Sequence, residues 1–282
     1  MAKLFLITGV SSGLGRAFAA GALEAGHRVC GTVRKPDDVA AFEALAPGRA
    51  YARLLDVTDE RQVFEVVAEV ENTFGGIDVV IANAGYGVEG TFEETPLSVL
   101  RDQFEVNVFG AAATIRAVLP GMRERRSGHI LAVTSMGGLM TVPGLSAYCG
   151  SKYALEGILE TVGKEVAGFG IHVTAIEPGS FRTDWAGRSM VRAERAIADY
   201  DELFDPIRTA RQAASGNQLG DPGKAATAVL TVLDDPNPPA HLLLGSDALR
   251  LVTAGRASVD EDIATWETLT RSTDFPDGAQ IR

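Results

Sequence analysis

Seven short apolar runs, separated by stretches with helical periodicity, leave few possible folds for this chain. The runs cover residues 4–8, 28–33, 51–56, 78–82, 129–134, 172–177 and 241–245. Between them apolar residues return every three or four positions, as in DERQVFEVVAEVENTFG, which is typical of an amphipathic helix. Strands that are apolar throughout and alternate with helices indicate a parallel sheet covered on both faces. We therefore predict one α/β domain over residues 1–282, with a doubly wound, seven-stranded parallel sheet and helices on both faces.

Residues 180–220 interrupt this alternation. Their pattern predicts helices but no strand, and they include Trp185, Met190, Tyr200 and Phe204. An insertion of this length between strands often forms a lid over a binding site. A helical excursion on the surface would give the same pattern, so both interpretations stay open.

Charge and hydropathy argue against two classes of partner. The chain has 37 acidic and 26 basic residues, a net charge of -11, and its basic block RERR is short, so nucleic acid is not expected to bind. No run approaches the roughly 20 apolar residues that span a bilayer, and the apolar start LFLIT is too short for a signal sequence. We expect a cytoplasmic protein with no membrane partner.

The cysteines and histidines do not form a recognisable ligand pattern. Cys30 and Cys149 are far apart and belong to no C-x-x-C pair, and the four histidines are scattered singly. This favours a reducing compartment and predicts neither a disulfide framework nor a zinc or other metal site.

A glycine-rich loop follows the first predicted strand and precedes a helical pattern. Its sequence is TGVSSGLG, and its candidate ligand-binding residues are Gly9, Ser11, Ser12, Gly13, Leu14 and Gly15. Glycines allow the backbone to approach a ligand closely, and the N–H groups and dipole of a helix N-terminus favour a phosphate. The two serines can cap the helix or donate to phosphate oxygens. We expect this loop to bind the pyrophosphate of a dinucleotide rather than to be a simple tight turn.

Tyr148 and Lys152 lie four residues apart in a helical pattern and therefore share one face of the helix. A cation near a phenol lowers the phenol pKa, which suits an acid/base catalyst. Taken alone, this spacing is common, and a partly buried tyrosine beside a solvated lysine would also produce it.

Several motifs together give a more specific signal. In order, they are T-G-x-x-x-G-x-G at residues 8–15, NAG at 83–85, Asn107 in FEVNVFG, Ser135 in AVTSMGG, Y-x-x-x-K at 148–152 and PG at 178–179. Over residues 3–183 the chain resembles the short-chain dehydrogenases/reductases, and the run at 241–245 fits the family's last strand. The resemblance implies a Rossmann-type fold and a nicotinamide cofactor.

The resemblance also implies four catalytic roles. Tyr148 would exchange a proton with the substrate oxygen, and Ser135 would hold that oxygen. Lys152 would lower the pKa of Tyr148 and bind the nicotinamide ribose. Asn107 would interrupt its helix and hold a water that connects Lys152 to solvent.

Further cofactor contacts follow from the same resemblance. Beyond the glycine loop they are Asp56 and Val57 at the adenine, Asn83, Ala84 and Gly85 at the adenosine ribose, and Pro178, Gly179 and Thr183 at the nicotinamide end.

The end of the second strand, GTVRKPDD, bears on the choice of cofactor. Val33 stands where an acid would bind the ribose hydroxyl of NAD, and Arg34 and Lys35 follow it. Asp37 and Asp38 come later, beyond a proline. A guanidinium pairs well with a 2′-phosphate, so we predict NADP(H), with NAD(H) as the alternative. Arg34 and Lys35 could also be a solvated loop pair.

These observations predict an oxidoreductase that transfers a hydride between NADPH and a carbonyl or secondary alcohol of a mostly apolar small molecule. The candidate pocket segments are 86–88, 136–143 and 181–185. The alternatives are a non-catalytic regulator that senses a dinucleotide, an NAD-dependent alcohol dehydrogenase, and a sugar-nucleotide epimerase or dehydratase, whose glycine motif is usually spaced differently. The resemblance further implies a homodimer or homotetramer built on the helices that contain Asn107 and Tyr148.

Overall fold

Each of the seven apolar runs forms a strand of one parallel sheet in the computed structural model, which describes residues 2–187 and 189–275. In chain order the strands are β1 (Leu4–Ile7), β2 (Arg28–Val33), β3 (Ala50–Leu54), β4 (Val79–Ala82), β5 (Gly87–Glu89), β6 (Gly128–Val133), β7 (Ile171–Pro178), β8 (Met190–Arg192) and β9 (His241–Leu244). The large sheet has the order β3-β2-β1-β4-β6-β7-β9, and β5 pairs with β8 separately. The predicted doubly wound sheet is confirmed.

Helices cover both faces of this sheet. They are α1 (Gly13–Glu24), α2 (Asp37–Glu43), α3 (Glu60–Phe74), α4 (Leu97–Phe104), α5 (Ala111–Arg125), α6 (Ser146–Val166), α7 (Asp201–Ala213), α8 (Pro222–Leu233) and α9 (Ser246–Arg271). Local sequence sets several of their ends. Asp59 caps α3 by accepting from the Gln62 N–H, and Asp221 caps α8 with Pro222 as its first residue. None of the described helices is both long and apolar enough to cross a membrane.

The apolar core is divided between the two faces. On one face Val66 of α3, Ile115 of α5 and Leu155 of α6 pack against the sheet. On the other, Phe18 of α1 and Val229 of α8 belong to a second cluster. Because both faces are buried, the strands need apolar residues at most positions, which is why they read as nearly continuous runs.

The strand order reverses at β1. This strand pairs with β2 on one side and with β4 on the other. In sheets of this kind the crevice beyond the carboxyl ends of the two diverging halves is where ligands bind. The residues that follow β1 and β4 therefore meet at the predicted site.

The prediction that residues 180–220 contain no strand is wrong. Strand β8 pairs in parallel with β5, with Gly87 opposite Met190 and Glu89 opposite Arg192. A strand of three residues is too short to show a periodic pattern, and it forms here because a distant segment supplies its partner.

Candidate active site

A cleft of about 1320 Å³ lies at the carboxyl ends of the strands. Its lining includes most of the predicted site residues, namely Gly9, Ser11, Ser12, Gly13, Leu14, Arg34, Asp56, Val57, Asn83, Ala84, Gly85, Ser135, Tyr148, Lys152, Pro178, Gly179 and Thr183. Gly15 and Asn107 are not part of that lining. The structure therefore brings the predicted residues to one cleft, and it places two of them behind its wall.

The glycine loop is held by close packing. Gly9 has a φ of +73° and Gly13 a φ of +61°, a backbone region that side chains disfavour. A Cβ on Gly15 would lie 2.3 Å from both the Gly9 carbonyl oxygen and the Asn83 Nδ2 atom. The Asn83 amide donates to the carbonyls of Thr8 at 2.8 Å and Gly9 at 3.0 Å. Gly15 and the side chain of Asn83 thus support the loop from behind.

Thr8 is a site residue that is absent from the sequence-based prediction. It is buried, and its hydroxyl accepts the N–H of Asn83 at 2.9 Å and that of Ala84 at 3.0 Å. These bonds join the end of β1 to the end of β4 across the crevice. The signal that could have revealed it is the first letter of T-G-x-x-x-G-x-G.

The N-terminus of α1 opens onto the cleft. Ser12 is the N-cap residue with an extended backbone, and its hydroxyl makes no capping bond within the described chain. The first N–H groups of a helix have no intrahelical acceptor, so they can bind an anion here. This geometry fits the pyrophosphate of a dinucleotide.

Three side chains with catalytic potential converge at the other end of the cleft. Ser135 follows β6, whereas Tyr148 and Lys152 project from α6, and all three are buried. The Lys152 Nζ atom lies 5.7 Å from the centroid of the Tyr148 ring and donates to the Val133 carbonyl at 2.8 Å. The Ser135 Oγ atom accepts the Gly137 N–H at 3.0 Å.

Burial controls the ionisation of these groups. It raises the pKa of Tyr148 to about 12, and the nearby Ser135 hydroxyl only partly opposes this rise. Burial also lowers the pKa of Lys152 to about 8. The expected lowering of the Tyr148 pKa is therefore not seen, because desolvation of the phenolate is the largest cause of its shift.

Asn107 lies in a π-helical segment, Glu105–Gly110, between α4 and α5. Its Oδ1 atom accepts the Tyr86 N–H at 3.1 Å, and its Nδ2 atom donates to the Tyr86 carbonyl at 3.0 Å and to Ser151 Oγ at 3.1 Å. The Ser151 hydroxyl in turn donates to the Tyr148 carbonyl at 2.7 Å. Asn107 therefore ties the loop after β4 to α6.

Charged side chains surround the end of the cleft where the family resemblance predicts the adenosine. Arg34 and Lys35 line it directly after β2, together with Asp56. Bonds from Thr58 are the main cause that lowers the pKa of Asp56, and Arg34 adds to the effect. Asp38, whose position beyond the proline argued against a role here, lines the same end.

Residues 180–220 form part of the wall beside Tyr148. The rings of Trp185 and Tyr148 lie 5.0 Å apart. Glu89 of β5 is fully buried and pairs with Arg192 at 2.9 Å and with Arg211. Arg211 also lines the cleft, and no local pattern could have revealed it, since its partner is more than a hundred residues away.

The pattern of the short chain dehydrogenase family matches residues 3–192. This chain belongs to that family. It is 40% identical to the oxidoreductase BOA17 of Botryotinia fuckeliana, with 92% of this chain and 93% of that protein covered. It is 33% identical to the 3-ketodihydrosphingosine reductase of Bacteroides thetaiotaomicron, over 86% of this chain and 88% of that protein.

A solved structure agrees with this assignment. The short-chain dehydrogenase from Streptomyces avermitilis superposes with a TM-score of 0.91 at 43% identity, with 97% of this chain and 98% of that chain covered. The protein is therefore an NAD(P)-dependent oxidoreductase that acts on CH–OH or C=O groups.

The packing of Gly15 leads to a test of the glycine loop. In Gly15→Ala the new Cβ meets backbone at 2.3 Å, so the loop must shift. We expect a loss of about 1–3 kcal/mol in the free energy of unfolding, measured in urea, together with weaker binding of a nicotinamide dinucleotide.

Gly157→Ala is the matched control. Gly157 is an exposed residue of α6, and a Cβ added there would meet no neighbouring atom within 4 Å. Removing a helical glycine there should leave stability unchanged or raise it by about 0.5–1 kcal/mol. Equal effects from the two substitutions would contradict the close packing of Gly15.

Proposed function

We propose that this enzyme transfers a hydride between NADP(H) and a carbonyl or secondary alcohol of a mostly apolar small molecule. The observation that carries the proposal is one cleft with a phosphate-binding loop at one end and three polar groups at the other. These groups are the hydroxyls of Ser135 and Tyr148 and the amine of Lys152. The positive φ of Gly9 and Gly13 and the open N-terminus of α1 fit a dinucleotide.

Tyr148 is proposed as the proton donor in carbonyl reduction. With a pKa raised to about 12 by burial, its phenol keeps its proton at neutral pH and can give it to the substrate oxygen. The reduced nicotinamide supplies the hydride when it is bound. Ser135 is proposed to donate a hydrogen bond to the same oxygen, which stabilises the negative charge that develops there.

Lys152 and Asn107 are proposed to support that proton transfer. The bond to the Val133 carbonyl holds the Lys152 amine near the tyrosine ring. Its positive charge favours the phenolate that remains after the proton has left. Asn107 is proposed to hold the loop that contains Tyr86 against α6. The water-holding role that the family resemblance implies stays a prediction.

The lining of the cleft near Tyr148 supports an apolar substrate. Met140, Val142, Leu145 and Trp185 contribute apolar surface, with Arg211 at the margin. Such a wall with few polar groups orients a substrate mainly by shape. The relative named as a 3-ketodihydrosphingosine reductase supports reduction of a ketone. Residues 180–220 are proposed to act as the substrate lid.

Arg34 and Lys35 support NADP(H), because two cations at the adenosine end favour a 2′-phosphate. Asp38 at the same end favours the second candidate, an NAD-dependent alcohol dehydrogenase, since a carboxylate can accept from a ribose hydroxyl. The two proposals differ only in which charged group meets the ribose.

Two further sequence-based expectations remain proposals. Exposed Leu97, Phe109 and Tyr153 lie on or beside the helices that the resemblance assigns to subunit contacts, which supports a homodimer or homotetramer. A cytoplasmic location stays a prediction.

The proton-donor role predicts the effect of Tyr148→Phe. Phenylalanine has no proton to give, so turnover of any accepted ketone should fall by about 10²–10⁴-fold. NADPH binding, followed by nicotinamide fluorescence, should change by no more than a few-fold. Tyr153→Phe, on an exposed position of the same helix, is the control and should keep its turnover. A Tyr148→Phe enzyme that retains most of its activity would remove Tyr148 from the mechanism.

The cofactor preference is tested by Arg34→Asp. We expect NADPH to bind at least tenfold more weakly, which corresponds to about 1.4 kcal/mol, with NADH binding unchanged or tighter. Arg61→Asp makes the same charge change on an exposed residue of α3 outside the cleft and controls for long-range electrostatics. Equal losses for both nucleotides would show that another residue binds the phosphate.

The ionisation of Lys152 predicts a pH profile for ketone reduction. Because burial lowers the pKa of Lys152 to about 8, its ammonium loses its charge as the pH rises through that value. The Tyr148 phenol, with a pKa of about 12, stays protonated over this range. We expect kcat/KM for reduction to fall above about pH 8.

Lys152→Arg provides the comparison for this profile, since a guanidinium keeps its charge. Whatever its absolute rate, this variant should lose the decline above about pH 8. A decline of the same shape in both enzymes would assign the titration to a different group.

A further inference from the structure

A second cluster of ionisable side chains lies outside the cofactor cleft. It consists of Glu156 on α6, Glu177 near the end of β7 and His241 at the start of β9. The His241 Nδ1 atom lies 2.6 Å from Glu177 Oε1 and 3.5 Å from Glu156 Oε2. One potential ligand atom from each residue lies within 4.8 Å of the other two. Three elements of the fold thus direct an imidazole and two carboxylates at one point.

The two carboxylates are buried with too few partners. Glu177 is completely inaccessible and Glu156 is 6% exposed. Both oxygens of Glu156 and the Oε2 atom of Glu177 lack a hydrogen-bond partner among the described residues. The Thr134 hydroxyl beside them donates instead to the Ile176 carbonyl at 2.9 Å. A carboxylate removed from water without compensation is costly, and two side by side are more so.

Lys152 attracts Glu156 and Arg256 attracts Glu177 from beyond ion-pair distance. In residues 2–187 and 189–275, no lysine or arginine forms an ion pair with Glu156 or Glu177. His241 faces both carboxylates through a single nitrogen, which can donate at most one proton. It therefore satisfies Glu177 and leaves Glu156 without a donor at hydrogen-bond distance.

The donor set matches the preferences of a divalent metal ion. Zinc binds imidazole nitrogen and carboxylate oxygen, and three protein ligands leave a fourth position for water. The His241 side chain is 44% exposed, so the cluster opens to solvent on that side. An ion can enter there without crossing the core.

We propose that Glu156, Glu177 and His241 bind a divalent metal ion of the zinc type that joins α6, β7 and β9. This differs from the sequence expectation of no metal site, which rested on spacing alone. The three ligands are far apart in the sequence, so no spacing motif could predict them.

The position of the cluster, next to the cofactor cleft, indicates a structural role for the ion. Glu156 follows Lys152 by one helical turn, and Glu177 directly precedes Pro178 and Gly179 of the cofactor cleft. The three ligands are positioning residues, because they fix the backbone that carries these groups and do not line the cleft themselves. Gly138, in the turn after Ser135, packs against the Glu156 side chain. The ion would therefore also help to hold the turn that follows Ser135.

The test uses the full chain after treatment with a chelator and its removal, without nicotinamide or substrate, so it is independent of the proposed reaction. Calorimetric titration with Zn²⁺ should show one site per chain, and Zn²⁺ should raise the Tm as a ligand of the folded state does. Co²⁺ should give the visible absorption of a low-symmetry, partly imidazole-bound ion.

His241→Gln removes a half-exposed ligand and should fold, so it is the principal variant. It should lose at least tenfold in Zn²⁺ affinity and lose the Co²⁺ absorption, and Glu177→Gln should do the same. His172→Gln, which changes an exposed histidine of β7 outside the cluster, is the matched control and should bind as the parent does.

Three results would overturn the proposal. They are the absence of saturable Zn²⁺ and Co²⁺ binding in the parent protein, equal binding in His241→Gln and the parent, and a loss of binding in His172→Gln that matches the loss in His241→Gln. Each would show that Glu156, Glu177 and His241 form a buried carboxyl pair with one histidine and do not bind a metal ion.

Discussion

Buried hydrogen bonds join the ends of β1 and β4 and thereby set the geometry of the whole cleft. The Thr8 hydroxyl accepts two backbone N–H groups from the loop after β4, and the Asn83 amide returns two bonds to the glycine loop. The sheet diverges at this point, so these bonds hold the two halves at one separation. With the crevice fixed, the N-terminus of α1 faces the cleft, and Gly15 has to be a glycine because the Asn83 amide occupies the space of a side chain.

Burial shifts the pKa values of the two ionisable groups at the catalytic end in opposite directions. It disfavours the phenolate of Tyr148 and the ammonium of Lys152 alike, so the two pKa values move apart, to about 12 and about 8. The helical spacing of the two residues suggested that the cation would dominate. Desolvation dominates instead, which favours the protonated phenol at neutral pH.

Residues 180–220 illustrate how tertiary contacts can create local structure. Strand β8 exists because β5 is there to pair with it, and the pairing brings Arg192 to the buried Glu89. Arg211 of α7 reaches the same carboxylate, so one buried acid fastens two parts of the insertion beside the cleft. Phe204 of the same helix packs on Gly144, whose φ is +78° and where a side chain would clash. Residues of the insertion therefore form part of the wall of the cleft.

Patterns along the chain were enough to predict the seven strands of the main sheet, the helices between them, the family, and most of the residues that line the cleft. Those features depend on periodicity and on motifs whose members are close together in the chain, so a single sequence carries them. The folded arrangement was needed to establish the direction of the Tyr148 pKa, the role of Thr8, the Glu89 ion pairs, and the meeting of Glu156, Glu177 and His241. Each of these depends on desolvation or on contacts between residues far apart in the chain, and local sequence patterns encode neither.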